Sequence, residues 1–213
     1  MKTPIHSFLI DNAEGAGVSV EDIKDLHRKA NLIAQVPLND TLVAIQKSFD
    51  PELFVTGNCG LLAFTLNMLY PDHSNFFFIA VETDQYDSAV NQNHFTKNSE
   101  IMELSLTCGF FHVMFSNRKF VYDIYGEFNS EEEPLQELLE YDRTIKVNTI
   151  TFQPREDQSL ISTMLALNSG TMPTMGVEDI IEATYETLLK SNLISNKKYH
   201  KKDKNQYKTM SYK

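Results

Sequence analysis

The sequence predicts an α+β domain built around a mainly antiparallel sheet. Apolar residues recur at helical spacing towards both ends of the chain, whereas short aromatic-rich runs lie in the middle. Helices that cluster apart from the strands are typical of α+β architectures. The length of 213 residues, with 42% hydrophobic and 23% charged residues, suits one domain with a sizeable core and excludes disorder throughout.

Three helices are predicted in the first third of the chain, after an irregular lead-in over residues 1–18. Ser19 followed by Asp22 resembles a capping box in which Asp replaces Glu, and this pattern opens the first, amphipathic helix. Proline residues then interrupt the helical pattern. The predicted helices span about residues 19–35, 40–49 and 59–70, and the prolines that follow them are Pro37, Pro51 and Pro71.

The periodicity changes in the middle of the chain, where the strands are expected. The polar stretch 83–99 is predicted to be a long loop, and a loop of this length in a compact domain is usually functional or mobile. The runs on either side of it are short, apolar and rich in aromatic residues. The predicted strands are Phe76–Val81, Phe110–Phe115, Lys119–Tyr125 and Lys146–Phe152, and residues 101–107 alternate weakly.

The last third of the chain is predicted to be helical and to end in a basic tail. An acidic helix follows Ser130, and two more helices are predicted at about 156–168 and 177–193. Residues 194–213 hold seven lysines and one aspartate, a net charge of +6, so the other 193 residues carry −16 and the whole chain −10. We therefore predict a single domain over residues 1–193 and a disordered, solubilising tail over residues 194–213, although such a tail could also contact an acidic partner or RNA.

Charge and hydropathy limit the expected partners. The acidic body argues against nucleic acid as the main partner, because phosphate binding requires a basic surface. No apolar stretch approaches the ~20 residues that span a bilayer, so no membrane partner is expected, and the first residues lack the pattern of a signal peptide. With Cys59 and Cys108 as the two cysteines, we expect a reducing compartment, either the cytoplasm or a host cell into which the protein is delivered without a cleavable signal. The composition resembles that of phage or AT-rich bacterial proteins, and the oligomeric state stays open.

No metal and no other cofactor is expected from the motifs of the chain. It contains no CxxC, HxH or HExxH motif, and its six histidines are scattered along the sequence. It also lacks the GxGxxG and P-loop patterns that bind nucleotides. The aromatic run at Phe76–Phe78 is therefore assigned to the core.

Cys59 is the residue that most clearly indicates a catalytic role. It follows the breaker residues Gly57 and Asn58 and directly precedes an apolar helical run, which places its thiol at a helix N-terminus. The unpaired N–H groups and the dipole at that end favour an anion, and helix N-termini lower the pKa of cysteine. The pattern therefore predicts a nucleophilic thiolate.

A general base for that thiol is predicted at His112, which alone among the histidines lies inside a predicted strand. If Asn117-Arg118 forms a two-residue hairpin loop, residues 112 and 123 lie directly opposite each other on one face of the sheet. Asp123 would then orient the imidazole, as the third member of a catalytic triad does. A three-residue loop would instead place Ile124 opposite His112. The competing base is His94 in the long polar loop, which could move over the thiol.

The order of cysteine, histidine and aspartate resembles that of the papain-like superfamily, which includes papain-type proteases, transglutaminases, NlpC/P60-type amidases and effector-type proteases and deamidases. The resemblance covers about residues 55–126. It departs from papain itself, because no Trp follows the cysteine motif, and the spacing is closer to the transglutaminase-like and effector-type members. The runs that carry the resemblance are Gly57-Asn58-Cys59-Gly60, Phe111-His112-Val113-Met114-Phe115 and Val121-Tyr122-Asp123-Ile124-Tyr125-Gly126.

The resemblance implies a papain-like domain in which N-terminal helices present the nucleophile at a helix N-terminus packed on the sheet, with further helices at the C-terminal end. It implies that Cys59 attacks an amide or isopeptide carbonyl of a protein or peptide substrate, with His112 as base and then acid and Asp123 as its orienter. The Cys59 N–H would be one oxyanion donor, and Asn58 or Gln46 is a candidate for the second. Protease, deamidase and transglutaminase share this chemistry and stay open as alternatives.

A second hypothesis is a non-catalytic binding protein that keeps the same scaffold and uses its acidic surface. In that interpretation Cys59 is a small buried hydrophobe, and His112 and Asp123 are ordinary strand residues. The helix-start position of the cysteine and the order of the three residues favour the triad. Cys108 precedes Gly109 at a strand entrance with no helix start after it, so we assign it a structural role.

Overall fold

The computed structural model describes residues 19–55, 58–71, 75–82, 108–117, 119–141, 147–152 and 175–195. These segments form an α+β architecture, which confirms the predicted fold class at that level. Among the helices in these segments, none combines the length and the apolar character needed to cross a bilayer. Several predictions fall outside the described residues: the loop 83–99 with His94, the weakly alternating residues 101–107, the helix 156–168 and nearly all of the basic tail.

Four helices precede the sheet, and they largely match the prediction. Ser19 caps the first of them, because its Oγ accepts a hydrogen bond from the Asp22 N–H at 3.2 Å. The short third helix was not predicted, because four residues after a proline carry no periodic signal. The helices are α1 (Val20–Ile33), α2 (Leu38–Ser48), α3 (Glu52–Val55) and α4 (Cys59–Leu69).

In the described segments the sheet has five strands, and every pair of neighbours is antiparallel, as predicted. The strands lie in the order β4-β3-β2-β1-β5, so β2 has β1 on one side and β3 on the other. They are β1 (Asn75–Glu82), β2 (Cys108–Ser116), β3 (Val121–Asp123), β4 (Gly126–Phe128) and β5 (Val147–Phe152).

The predicted strand Lys119–Tyr125 is wrong in extent, because β3 covers only Val121–Asp123 and a tight turn then leads into β4. Asp123 pairs with Gly126 across a two-residue turn, and Gly126 adopts a φ of 140°, which glycine tolerates far better than other residues. The predicted hairpin register is also wrong. Ser116 pairs with Val121 rather than residue 119, so the connection is four residues long.

Two further helices, α5 (Glu132–Tyr141) and α6 (Val177–Lys190), agree with the prediction. Helix α4 packs on β2 and β3, and α6 packs against α1, α2 and α4. Ten of the eleven residues of α4 are buried, so this helix lies between the sheet and the other helices. Burial on this scale makes α4 the central element of the fold, and its first residue is Cys59.

Candidate active site

Cys59 is the first residue of α4, where the sequence places it, and it is 9% exposed. The preceding residue, Asn58, is the N-cap, but its side chain makes no capping hydrogen bond. The Nδ2 and backbone N–H of Asn58 both donate to the carbonyl of Leu53, at 3.0 and 3.2 Å. The Asn58 side chain therefore ties the start of α4 to α3, and the N-terminal N–H groups of α4 are left to other acceptors.

His112 and Asp123 lie together, although not through the predicted pairing. The His112 Nε2 is 3.7 Å from the Asp123 Oδ2, an ion-pair distance longer than an ordinary hydrogen bond, and both side chains are nearly buried. Continued by one pair, the observed register places Asp123 opposite Met114 and diagonal to His112. The predicted and observed registers differ by two residues. Because side chains alternate between the two faces of a sheet with a period of two, His112 and Asp123 share a face in both registers.

A β-bulge lies directly before His112. In the β1–β2 ladder His112 pairs with Ile79 and Phe110 with Ala80, so Phe111 is the extra residue. Bulges increase the local twist of a strand and change the direction of neighbouring side chains, and they are frequent beside active sites. The bulge is thus one local cause of the orientation of His112, and no sequence pattern signalled it.

The two oxygens of the Asp123 carboxylate have different partners. Its Oδ1 accepts a hydrogen bond from the Tyr125 N–H at 2.7 Å, which closes the β3–β4 turn, and its Oδ2 faces His112. One oxygen is therefore fixed by the backbone while the other is available to the imidazole. Since His112 turns Nε2 towards Asp123, Nδ1 is the nitrogen left for the Cys59 thiol.

The thiol of Cys59 lies where the β2–β3 ladder opens. The Asn117 N–H donates to the Phe120 carbonyl at 3.1 Å, so alternate residues of β2, including Val113, direct their N–H groups towards β3. The register would place Ile124 opposite Val113, but β3 ends at Asp123. The Val113 N–H instead donates to the Cys59 sulfur.

The electrostatics of the site favour an ion pair between Cys59 and His112. Burial alone would raise the pKa of Cys59, but the neighbouring imidazole and the N–H groups of Val113 and Gly60 lower it below its ordinary value. Burial alone would lower the pKa of His112, but Asp123 and Cys59 raise it to about 9. Both shifts favour transfer of the thiol proton to the imidazole, which gives a thiolate–imidazolium pair.

The two candidates for a second oxyanion donor are both engaged elsewhere. The Asn58 amide binds the Leu53 carbonyl, and the Gln46 Nε2 donates to the Ile124 carbonyl at 2.6 Å. The sequence prediction missed the roles of two backbone groups, the N–H of Val113 and the N–H of Tyr125. Backbone donors carry no residue-type signal, so only the register could have revealed them. Among the described histidine, cysteine and acidic residues, no group of three or more is arranged to hold a metal ion.

Comparison of the chain with protein-family models, with curated proteins and with solved structures finds no match in any of the three.

Proposed function

We propose that the protein is a cysteine-dependent acyl-transfer enzyme that acts on amide or isopeptide bonds, with Cys59 as nucleophile, His112 as base and Asp123 as orienter. The observation that carries the proposal is the buried contact of all three groups at the N-terminus of α4, where the pKa of the thiol is lowered and that of the imidazole is raised to about 9. Two contacting groups whose pKa values shift in opposite directions are typical of sites adapted to nucleophilic catalysis.

The proposed reaction proceeds through a thioester. The Cys59 thiolate attacks the carbonyl carbon, a C–S bond forms, and the negative charge on the oxygen is met by N–H groups at the start of α4. The C–N bond then breaks, and His112 gives its proton to the leaving amine or ammonia. Water or an amine next attacks the thioester while His112 takes up its proton, which releases the acyl product and restores the thiolate–imidazolium pair.

The proposal includes membership of the papain-like superfamily. A helix that begins at the cysteine and packs on an antiparallel sheet, with the histidine and the acid on neighbouring strands, supports that likeness. Protease, deamidase and transglutaminase activities differ in the amide that enters and in the nucleophile that accepts the acyl group.

An acyl-enzyme experiment tests the proposal without knowledge of the natural substrate. p-Nitrophenyl acetate is small enough to reach a largely buried thiol, and its reaction with Cys59 releases nitrophenolate. We expect a burst of nitrophenolate and an acetyl group on the peptide that contains Cys59, followed by slower turnover. Cys59→Ala should remove all three signals and leave the circular dichroism spectrum unchanged, whereas Cys108→Ala should keep them. An absence of Cys59-dependent acylation would contradict the proposal.

A second candidate function is a binding protein that retains this scaffold without turnover. The observation that favours it is the burial of Cys59, because a thiol that is 9% exposed offers little room to a polypeptide substrate. In that case the acidic surface would bind a basic partner, and the ester would acylate neither cysteine faster than an exposed model thiol.

A further inference from the structure

Gln46 connects helix α2 to the turn that carries Asp123. Its Nε2 donates to the Ile124 carbonyl at 2.6 Å, and Ile124 is 1% exposed. Ile124 is the residue directly after Asp123 and directly before Tyr125, whose N–H binds the Asp123 carboxylate. The Ile124 carbonyl and the Tyr125 N–H belong to the same peptide group, so the Gln46 amide and the Asp123 carboxylate hold that group from its two sides.

The Ile124 carbonyl would have a different partner if the β2–β3 ladder continued. Continuation of the observed register would place it opposite Val113, whose N–H points towards β3. A buried carbonyl without a hydrogen bond costs free energy, so it must be satisfied either by Val113 or by another donor. Gln46 supplies that donor, and Val113 is thereby free to bind the sulfur of Cys59.

We propose that Gln46 is a positioning residue that keeps β2 and β3 from pairing at Val113 and Ile124. By binding the Ile124 carbonyl, it fixes Asp123 beside His112 and leaves the Val113 N–H to Cys59. This inference rests on the proposed function and assigns Gln46 a role other than that of an oxyanion donor. Gln46 acts through Ile124 and Asp123, and no contact with the reacting atoms is required of it.

The test compares two substitutions that remove the same kind of hydrogen bond. Gln46→Met keeps the length of the side chain and loses its donor. The matched control is Gln35→Met, because the Gln35 Nε2 also donates to a backbone carbonyl, that of Asn31, at 2.9 Å on α1. The rate of Cys59 alkylation by iodoacetamide is measured from pH 5 to 10 by peptide mass spectrometry, and the melting temperature is measured beside it.

In Gln46→Met we expect the inflection of Cys59 alkylation to move up by about one pH unit, a roughly tenfold loss of thiolate at low pH. Gln35→Met should leave the inflection where the wild type has it. Should Gln46→Met fail to fold, Gln46→Asn keeps an amide that is one methylene too short to reach Ile124, and it should shift the inflection in the same direction.

An unchanged inflection in a folded Gln46 variant would overturn the proposal, even if the melting temperature fell, because the glutamine would then serve stability alone. A wild-type inflection at the ordinary pKa of cysteine is a different result, since it contradicts the proposed function itself. The wild-type and variant profiles therefore separate the two failures.

Discussion

Two clusters of charged side chains in this protein connect separate elements, and they differ in burial. On the outer helices, Asp25 and Lys29 of α1 meet Glu182 of α6, and the side chains of Asp25 and Glu182 are 47% and 46% exposed. At the sheet, His112 and Asp123 have side chains that are 12% and 10% exposed. The helical cluster consists of surface ion pairs, whereas the cluster at the sheet is nearly buried.

The pKa shifts of the two clusters distinguish a candidate reactive site from structural ion pairs. In the helical cluster each pKa shift reinforces the ordinary charge, because Lys29 stays a cation and Asp25 stays an anion. In the buried cluster the pKa of the Cys59 thiol is lowered and that of His112 is raised to about 9, so both shifts favour the charged form of a group that is mostly neutral at pH 7 when isolated. An ion pair that favours the thiolate makes the sulfur more nucleophilic, whereas a surface ion pair contributes only a small amount of stability.

The largest expected effect is that of His112→Ala on the reactivity of Cys59. Without the imidazolium, burial dominates and the pKa of the thiol rises, so alkylation at pH 6 should fall by about tenfold or more. His27→Ala is the control, since His27 lies on α1 beside Asn31 and away from the sheet. Equal alkylation rates in the His112 variant and the wild type would remove the contrast between the clusters.

Asp123→Asn should have a smaller effect, because the Asn side chain can still accept the hydrogen bond from the Tyr125 N–H. It loses the charge that raises the pKa of His112, so that pKa should fall from about 9 towards the ordinary histidine range. The measurement is the histidine Cε1–H titration by NMR. Asp25→Asn removes an equivalent charge from the helical cluster and should leave the His112 titration unchanged.

Thr184→Val tests a buried polar group that lacks a partner. Thr184 lies on α6, is 0% exposed, and has an Oγ1 without a hydrogen-bond partner in the part of the chain that the structure describes. Valine has nearly the same shape and removes the desolvated hydroxyl, so the free energy of unfolding should rise by about 1 kcal/mol. Urea denaturation measures it, and a decrease would mean that the hydroxyl is satisfied in solution.

Lys29→Met should have the smallest effect. Lys29 contacts Asp25 at 2.8 Å and Glu182, but both acids are about half exposed, so the pairs are screened by solvent. The free energy of unfolding should fall by about 1 kcal/mol or less, and the alkylation profile of Cys59 should not move. A shift of that profile would show that the two clusters are coupled through the helices.

Much of the fold could be predicted from the sequence because its local signals agree with its packing. The Ser19 cap, the apolar run after Cys59 and the aromatic strands all appear where the pattern predicts them. The β3–β4 turn was missed because the run from Lys119 to Tyr125 alternates like one strand. The antiparallel pairing of β3 with β4, the positive φ of Gly126 and the Asp123–Tyr125 hydrogen bond show that the chain reverses there.

The structure brings the predicted His112 and Asp123 together, but in a geometry that the sequence did not predict. His112 and Asp123 share a face in both the predicted and the observed register, because the error was an even number of residues. An error of one residue would have separated them. The opening of the ladder at Val113 could not be predicted, since it depends on a hydrogen bond between Gln46 and a backbone carbonyl 78 positions away.

The pH dependence of alkylation tests the central claim, that Cys59 and His112 form a buried ion pair, most directly. In the wild type, Cys59 should be alkylated by iodoacetamide with a first inflection below the ordinary pKa of cysteine. A second rise is expected near pH 9, where His112 loses its proton and the thiolate is no longer paired. Cys108 in the same sample is the internal reference. A single inflection at the ordinary cysteine pKa, with equal rates for both cysteines, would contradict the account.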